Sequence, residues 1–212
     1  MPDLSRTLTI TTLALSLGLG LPTASASADQ IVIGLQQEPT SLDPTADATA
    51  SINGMLTMNV YEALTVVAEN GEVQPNLATS WEVSEDGLTY TFTLAEGVTF
   101  HDGSSFDADD VLFSFNRAMA EDSVNPSKAK FAAIDTVTAI DPLTVEITLT
   151  RQDAFFLFNM GQGDSIIVSE GSAENNATAP VGTGPFKFER WTRGDRLILV
   201  KNPDHREADS VA

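Results

Sequence analysis

Three pairs of alternating segments constrain the fold of this chain more than any other feature of its sequence. The pairs flank turn residues at 84–87, at 141–142 and at 192–195. Alternation of apolar and polar residues is typical of half-buried strands, and turn residues between two such runs predict a β-hairpin. In the first pair, LTYTFTL places its large apolar side chains on one face and its threonines on the other. The sequence therefore predicts three hairpins, and more strands than helices.

Two longer segments have the spacing of amphipathic helices. Apolar residues recur through residues 51–64, where Ser51 is the predicted cap, and again through residues 111–119. The mixture of helical and strand patterns predicts an α/β chain. Shorter apolar runs predict strands at 30–35, 98–100 and 165–168 and a short helix at 151–160.

The densest group of ionisable side chains lies within ten positions and consists of His101, Asp102, Asp107, Asp109 and Asp110. Asp107 stands where a helix N-cap belongs, and the next two acids fall in the first turn, where the helix dipole favours negative charge. The group lacks the central Gly and terminal Glu of a calcium loop, and the chain has too few His for a zinc site. We therefore expect capping, with no metal and no cofactor. The alternative is a pair of acids that meets in space, as in a secreted carboxylate-dependent hydrolase.

The charge of the chain limits its partners. The formal net charge is −19, and no Lys or Arg occurs between Arg6 and Arg117. Such a field repels phosphate backbones and anionic lipid headgroups, so we expect no nucleic acid as a partner. Basic residues gather only loosely, between Lys187 and Lys201.

Residues 1–28 have the composition of a cleavable secretory signal peptide. Arg6 precedes an apolar stretch from Leu8 to Leu21, and small residues follow at 24–28. The stretch is short for a membrane span. The chain contains no Cys, hence no disulfide and no lipid-bearing cysteine at the cleavage site. These features predict a periplasmic or freely exported protein.

Several motifs then occur in an order that resembles one known family. The segment LTYTFTLAEGVTFHDGSSFDADDVLFSFNRA closely resembles the signature region of the family-5 extracellular solute-binding proteins, the periplasmic dipeptide- and oligopeptide-binding components of ABC importers. EPTSLDPT resembles the loop after the first strand of that family, and PVGTGPFKFERWTRGDRLILVKNPDH resembles the return into its large lobe. The resemblance runs from about Ile31 to about His205.

The resemblance implies an α/β fold of the periplasmic binding protein type II-like kind, a lobe with a mixed β-sheet and hairpins. It implies a monomer that is not an enzyme, needs no cofactor, binds a peptide or another small solute, and passes it to ABC permease subunits in the inner membrane. Two lobes would close over the ligand as rigid bodies. The implied division of the chain is signal peptide at 1–28, start of the large lobe at 29–50, inserted small subdomain at 51–167 and return segment of the large lobe at 168–212.

The resemblance also implies a ligand cleft bordered by a loop, a helix and a Gly-rich turn. Asp43 and Leu42, next to that loop, have a plainer expected role, because Asp43 can bond the backbone two residues on and Leu42 can fill the core. Trp81 and Trp191 are expected in the core and not stacked on a ligand. The implied ligand-binding residues are Glu38, Pro39, Thr40, Ser41, Asn59, Tyr61, Thr183 and Gly184.

The Gly-rich turn VGTGPF invites a second interpretation as a phosphate-binding loop. It lacks the Lys-Ser/Thr pair of such loops and leads into a predicted strand, so it does not open a helix. We therefore expect a turn at which two backbones pass closely, since glycine has no side chain to prevent the approach.

Members of the resembled family are considerably longer than these 212 residues. Their second lobe follows the point where this sequence stops, and the aromatic-Trp pair that usually follows KNPD is missing. The sequence is therefore predicted to be the N-terminal part of such a protein, truncated before the second lobe. A truncated product, one half of a split gene and a non-binding fragment all remain open.

Overall fold

The structure is a computed structural model that describes residues 31–34, 36–47 and 49–209. The chain divides into two compact units, 1–34 and 35–212. Within the described ranges, no helix combines the length and the apolar character that crossing a membrane requires.

The first unit is described only at residues 31–34, so the predicted signal peptide at 1–28 lies outside the described residues. The predicted strand at 30–35 is wrong over its described part, because Ile31, Val32 and Ile33 are exposed and have no regular secondary structure. A strand needs a hydrogen-bonded neighbour, and none of the strand pairings between described residues includes this segment.

The second unit contains short helices and antiparallel hairpins. Single turns of 3₁₀-helix lie at Lys128–Phe131 and Gly163–Ser165. The regular elements in chain order are α1 (Ala50–Leu56), β1 (Thr65–Val67), β2 (Val73–Pro75), β3 (Ala78–Val83), β4 (Thr89–Leu94), α2 (Ala108–Met119), β5 (Ile134–Asp141), β6 (Thr144–Leu149), α3 (Phe156–Asn159), β7 (Phe186–Thr192) and β8 (Arg196–Lys201).

All three predicted hairpins are confirmed. They are β3–β4, β5–β6 and β7–β8, and β4 also pairs with β6 to give one sheet of order β3-β4-β6-β5. Gly87 and Gly194 occupy the turns with φ of +69° and +73°, a conformation that glycine adopts without steric cost. The β-sheet was predicted to be mixed. Among the described residues, every pairing between two strands is antiparallel.

The predicted helix at 51–64 is only half right. It begins one residue earlier, after Thr49 and without a side-chain cap, and it ends at Leu56. Met58 then has a φ of +63°, a left-handed conformation that interrupts a right-handed helix. The apolar residues that follow are buried nevertheless, because this non-helical segment runs through the core. Periodicity alone did not separate a helix from a buried extended segment.

The other short segments that were predicted as strands or as a helix also form less regular structure than expected. The run at 98–100 contributes one isolated bridge, between Thr99 and Ser105, and the run at 165–168 contributes one, between Ile166 and Ala63. The predicted helix at 151–160 is reduced to the single turn of α3. The runs at 98–100 and 165–168 are largely buried, whereas 151–160 buries Phe156 and Met160 and leaves Phe155 and Phe158 exposed.

The predicted N-cap role of Asp107 is confirmed, and Asp110 completes a capping box with it at the start of α2. One carboxylate oxygen of Asp107 accepts a hydrogen bond from the backbone N–H of Asp109 at 2.9 Å, and Asp110 accepts from the N–H of Asp107 at 3.0 Å. These bonds satisfy donors that a helix start leaves unpaired. The helix buries Val111 and Phe115 against the sheet.

Asp110 differs from the expectation for a first-turn acid. Burial, reinforced by the carboxylates of Asp107, Asp109 and Asp102, raises its pKa from 3.8 to about 6, although the bond from the Asp107 N–H acts in the opposite direction. The ionised form is therefore less favourable in the folded protein than in the unfolded chain. Stability falls as the pH rises from 3.8 to about 6 and then stays at the lower level.

We expect Asp110→Asn to stabilise the protein at pH 7 by about 1 kcal/mol, a value reduced for the partial exposure of the side chain. The amide keeps the capping oxygen and removes the charge. Urea unfolding at pH 7 and at pH 4 measures the effect, and the advantage of the variant should shrink at pH 4, where Asp110 is protonated. A variant that is less stable than the wild type at pH 7 would show that the helix dipole outweighs burial.

Two hydrophobic cores organise the second unit. The sheet core packs α2 and α3 on the four-stranded sheet, with Phe92, Phe115, Ile147 and Phe156 almost fully buried. The hairpin core joins Leu42, Ile52, Leu56, Val60, Tyr61, Ile166, Val168 and Ala173 to the inner face of β7–β8. Trp81 packs on the sheet core and Trp191 on the hairpin core, which confirms their predicted packing role.

Candidate functional site

The Gly-rich turn at 182–184 lies directly against the backbone of residues 59–60. Gly184 donates its N–H to the carbonyl of Val60, and Phe186 donates to the carbonyl of Asn59, both at 2.9 Å. A Cβ atom at Gly182 would lie 2.0 Å from the Val60 oxygen, and one at Gly184 would lie 2.4 Å from the Asn59 oxygen. The predicted close passage of two backbones is confirmed, and it requires glycine at both positions.

Between these glycines, Thr183 faces a buried carboxylate. Its hydroxyl donates to Glu62 at 2.8 Å, and both side chains are almost inaccessible to solvent. The guanidinium of Arg206 donates to the two oxygens of Glu62 at 2.7 and 2.9 Å, and a further donor of Arg206 reaches Asn76 at 2.6 Å. Nε2 of His205 lies 3.6 Å from Glu62 Oε1, just beyond hydrogen-bond distance. The geometry is that of a bidentate ion pair inside the protein.

The environment of Glu62 keeps it ionised. Burial acts to raise its pKa, but the nearby His205, the hydrogen bonds and charge of Arg206 and the bond from Thr183 together lower it below 4.5. A buried carboxylate without such partners would carry a large desolvation cost. The ion pair therefore fastens the segment that contains Arg206 to the residues before β1 and, through Thr183, to the Gly-rich turn.

His101, a candidate reactive residue from the sequence, has a structural role at the same place. Its Nε2 lies 2.9 Å from the carbonyl of Gly184, and its Nδ1 accepts the N–H of Gly182 at 3.3 Å. A ring that donates at one nitrogen and accepts at the other is neutral. Burial lowers the pKa of His101, which is consistent with that form.

The predicted ligand loop at 38–41 is held by the tip of the β7–β8 hairpin. One carboxylate oxygen of Glu38 accepts from Trp191 Nε1 at 3.1 Å and from the N–H of Gly194 at 2.9 Å. Arg193 donates to the carbonyl of Thr40 at 3.3 Å while its guanidinium lies 4.0 Å from the centre of the Trp191 ring. At least one oxygen of Glu38 thus serves to fix the loop.

The residues after this loop connect it to α2. Asp43 accepts from the backbone N–H of Thr45 at 2.9 Å, which confirms the predicted bond two residues on, and Leu42 is fully buried. The other Asp43 oxygen pairs with Arg117 at 3.0 Å, and Arg117 also donates to the Thr45 hydroxyl at 2.6 Å. Tyr61 donates to the carbonyl of Leu42 at 3.4 Å.

A cavity of about 220 Å³ opens beside these residues, at the C-terminal end of α2. Its apolar wall includes Phe115, Phe131, Ile166 and Val168, and its polar lining includes Thr45, Arg117, Asp122, Ser123, Asn125, Asp164 and Ser165. None of the eight ligand-binding residues predicted from the sequence lines this cavity. Thr183 lines a smaller one, of about 40 Å³, together with His205 and Arg206.

The eight predicted residues therefore fall into separate groups. Asn59, Thr183 and Gly184 meet where the Gly-rich turn crosses residues 59–60, and Tyr61 is buried in the hairpin core. The remaining four lie in one loop, where Pro39 is buried and Ser41 is partly exposed. Glu38 and Thr40 are exposed members of that same loop.

Sequence reasoning missed Glu62 and Arg206. A signal was present, because Glu62 stands between apolar residues that fill a buried segment, and a buried acid needs a cation. Which cation supplies the charge could not be read from the sequence, since Arg206 is 144 positions away. In the part of the chain that the structure describes, no group of three or more His, Asp or Glu side chains could hold a metal ion.

The chain is similar to known proteins over most of its length. Residues 72–211 match the family described as "Bacterial extracellular solute-binding proteins, family 5 Middle". Glutathione-binding protein GsiB of Pectobacterium atrosepticum is 35% identical over 178 residues, which is 82% of this chain and 34% of that protein. Di/tripeptide-binding protein 1 of Pseudomonas aeruginosa is 31% identical over 211 residues, covering 87% of this chain and 39% of that protein.

A solved structure has the same fold. The ABC transporter-associated periplasmic binding protein DppA from Helicobacter pylori, in complex with the peptide STSA, superposes with a TM-score of 0.70 at 34% identity over 80% of this chain and 38% of that one. The predicted α/β lobe of a periplasmic binding protein is thereby confirmed. This chain spans between a third and two fifths of the length of the proteins it matches.

Proposed function

This chain belongs to the bacterial extracellular solute-binding proteins of family 5, and we propose that it binds a short peptide as part of the solute-binding component of an ABC importer. The match over residues 72–211 carries the proposal. The names of the two relatives and the ligand of the solved structure support a peptide, since glutathione, di- and tripeptides and STSA are all peptides.

We propose that the chain performs no chemistry on its solute. The proteins it resembles are solute-binding proteins. The hydrolase alternative would be supported by two acids that perturb each other in a deep pocket. The raised pKa of Asp110 arises mainly from burial, and its carboxyl is engaged in capping α2.

The proposed setting is the periplasm, with residues 1–28 as the cleaved signal peptide, no bound cofactor, and ABC permease subunits of the inner membrane as partners. The family is described as extracellular. We propose that the protein acts as a monomer and binds no nucleic acid, since its net charge of −19 opposes phosphate contacts.

We also propose the division into a large-lobe start, an inserted subdomain and a return segment. The hairpin core supports it, because it brings Leu42 and Tyr61 together with Val168 and Leu199 from the far end of the chain. The sheet core lies between them in sequence, from Leu64 to Ile167. We propose residues 51–167 for the inserted subdomain and 168–212 for the return segment.

Among the proposed ligand-binding residues, the exposed loop is the best candidate for direct contact with solute. Thr40 is exposed and Ser41 partly so, whereas Tyr61 and Thr183 are buried. The Thr40 hydroxyl donates to Asp47 and the Ser41 oxygen accepts from the N–H of Asp43, so the distinction rests on exposure. We propose that Tyr61 and Thr183 shape the site from within, with Asn59, Gly184, Pro39 and Glu38 fixing the backbone around it.

Thermal unfolding of the purified chain, followed by near-UV circular dichroism, tests peptide binding. We expect one cooperative transition that moves to higher temperature when a pool of di- to pentapeptides is added. A ligand that binds only the native state at about 100 times its dissociation constant adds about 2.7 kcal/mol. The control is the same mass concentration of free amino acids.

A cooperative transition that no peptide shifts would contradict peptide binding by this chain. The chain would then be able to fold, but its ligand site would also need residues from the part of the matched proteins that does not align with it. Absence of any cooperative transition would show that the chain does not fold by itself.

A further inference from the structure

His101 ties the Gly-rich turn at 182–184 to the rest of the fold through a side chain that can take up a proton. We propose that this tie is a pH-sensitive contact: when the His101 ring is protonated in acid, the Gly-rich turn is released from it. The release goes beyond the proposed function, because it would occur with or without a bound solute.

Three hydrogen bonds join His101 to the turn. Its backbone N–H donates to the carbonyl of Gly182 at 2.9 Å, and its Nδ1 accepts from the N–H of Gly182 at 3.3 Å. Its Nε2 lies 2.9 Å from the carbonyl of Gly184. Because a backbone N–H can only donate, Nδ1 must be the nitrogen without hydrogen, and Nε2 must carry it. The contacts therefore select one tautomer of the neutral imidazole.

A proton on Nδ1 is incompatible with this arrangement. The protonated ring donates at both nitrogens, so its Nδ1–H would face the N–H of Gly182. Gly182 is buried, and the described residues provide no other acceptor for its N–H. A buried donor that loses its acceptor costs free energy. The turn can recover that cost only by moving away from the ring and admitting water.

The turn cannot make this movement in small steps. Its backbone is packed so closely on residues 59–60 that a Cβ atom at Gly182 would lie 2.0 Å from the Val60 oxygen. Closely packed contacts switch between discrete arrangements and do not deform gradually. We therefore expect release to break the bonds that Gly184 and Phe186 donate to residues 59–60 together with the bond to His101.

The surroundings of His101 favour the neutral ring. Burial is the largest effect and lowers the pKa of the imidazole below 6.5, and the positive charges of Lys187 and of a protonated His205 act in the same direction. The groups that act in the opposite direction are the carbonyl of Gly184 and the carboxylates of Glu62 and Asp102. The unfolded chain therefore takes up this proton at a higher pH than the folded chain, so stability falls as the pH drops below 6.5.

Two of the neighbouring charges are compensated by other partners. Both oxygens of Glu62 bind Arg206, and Nζ of Lys187 lies 3.2 Å from a carboxylate oxygen of Asp204. The pKa of Glu62 lies below 4.5, so this carboxylate stays ionised between pH 7.5 and pH 5. Titration over that range therefore changes the charge of His101 while the ion pair beside it stays intact.

Amide hydrogen exchange, followed by NMR on the whole chain without any solute, tests the pH-sensitive contact. After correction for the intrinsic pH dependence of exchange, protection of the Gly182 amide should fall at least about tenfold between pH 7.5 and pH 5. The amide of Ala95 is the internal control and should keep its protection, because it donates to the carbonyl of Leu77 in the sheet core at 2.8 Å. The ring nitrogen shifts of His101 give its titration in the same samples.

Three variants identify the responsible group. His101→Asn keeps an oxygen that can accept from Gly182 and takes up no proton, so its Gly182 protection should not depend on pH. His205→Gln removes the other imidazole of the chain, and Asp110→Asn removes a carboxyl whose pKa is about 6. Both of these controls should keep the full loss of Gly182 protection in acid.

Two results would overturn the pH-sensitive contact. One is a Gly182 amide that stays protected in the wild type while the His101 ring takes up its proton, a result that does not depend on any variant folding. The other is a loss of protection in acid that persists in His101→Asn.

The contact also bears on the proposed ligand site, because Thr183 and Gly184 belong to the turn. This consequence rests on the proposed function. The rise in melting temperature caused by the pool of di- to pentapeptides should be smaller at pH 5 than at pH 7.5 in the wild type and equal at both in His101→Asn. Peptides that shift neither protein at either pH would count against the proposed function alone, since the exchange measurement contains no peptide.

Discussion

Replacing Arg206 by methionine should lower the free energy of unfolding by about 4 kcal/mol at pH 7. The substitution removes the guanidinium that holds both oxygens of Glu62 and leaves a carboxylate that is 2% exposed without its cation. Breaking a buried pair by removing one partner is strongly destabilising for this reason. Urea unfolding followed by circular dichroism measures the loss. The melting temperature should fall by about 10 °C.

Two comparisons identify the cause. Arg190→Met removes an exposed arginine from β7 and should change stability by less than about 0.5 kcal/mol. Adding Glu62→Gln to Arg206→Met should restore part of the loss, because the neutral amide still accepts from Thr183 and no charge stays buried. If the double variant lost the sum of the stabilities lost in Arg206→Met and in Glu62→Gln, the two side chains would be uncoupled.

The same pair has a defined pH dependence. The folded pKa of Glu62 is below its unfolded value of 4.5. The stabilisation is therefore fully present above pH 4.5 and is lost as the pH falls through the folded pKa. In Arg206→Met, burial dominates and raises the pKa of Glu62. We expect the difference between wild type and variant to be largest near pH 7 and to shrink below pH 4.5. A difference independent of pH would show that lost packing, not charge, is responsible.

Gly182→Ala should destabilise the protein by about 3 kcal/mol or prevent folding. The new methyl group would lie 2.0 Å from the carbonyl oxygen of Val60, which is backbone and cannot move aside like a flexible side chain. Relief requires the turn to separate from residues 59–60. That movement would stretch the hydrogen bonds that Gly184 and Phe186 donate there. Overpacking of this kind typically costs 1–3 kcal/mol, and more against fixed backbone.

Gly54→Ala is the matched control. Gly54 lies within α1, and a Cβ atom there meets nothing within 4 Å. Alanine should stabilise the protein by about 0.5–1 kcal/mol, because it restricts the unfolded chain and favours helix. Chemical denaturation of the two variants side by side gives opposite expected signs. If Gly182→Ala unfolded at the same urea concentration as the wild type, the tight crossing would be ruled out.

Local patterns in the sequence determined much of this fold. The three hairpins followed from alternation and turn residues, and the N-cap of α2 followed from Asp107 ahead of an amphipathic run. Both depend on contacts between residues close in sequence, which a pattern can carry. The ordered motifs likewise predicted the family, now confirmed by the match over residues 72–211.

Tertiary structure decided the rest. The segment after Leu56 has helical spacing but runs through the core without helix, because its neighbours are the Gly-rich turn and Ile166, far along the chain. Glu62 pairs with Arg206, and Glu38 accepts a hydrogen bond from Trp191. Neither partner could be identified before the chain is folded. A buried charge or a close backbone crossing is specified by what packs against it, and those neighbours lie more than a hundred residues away. The sequence alone determines where such groups occur, and the fold determines what satisfies them.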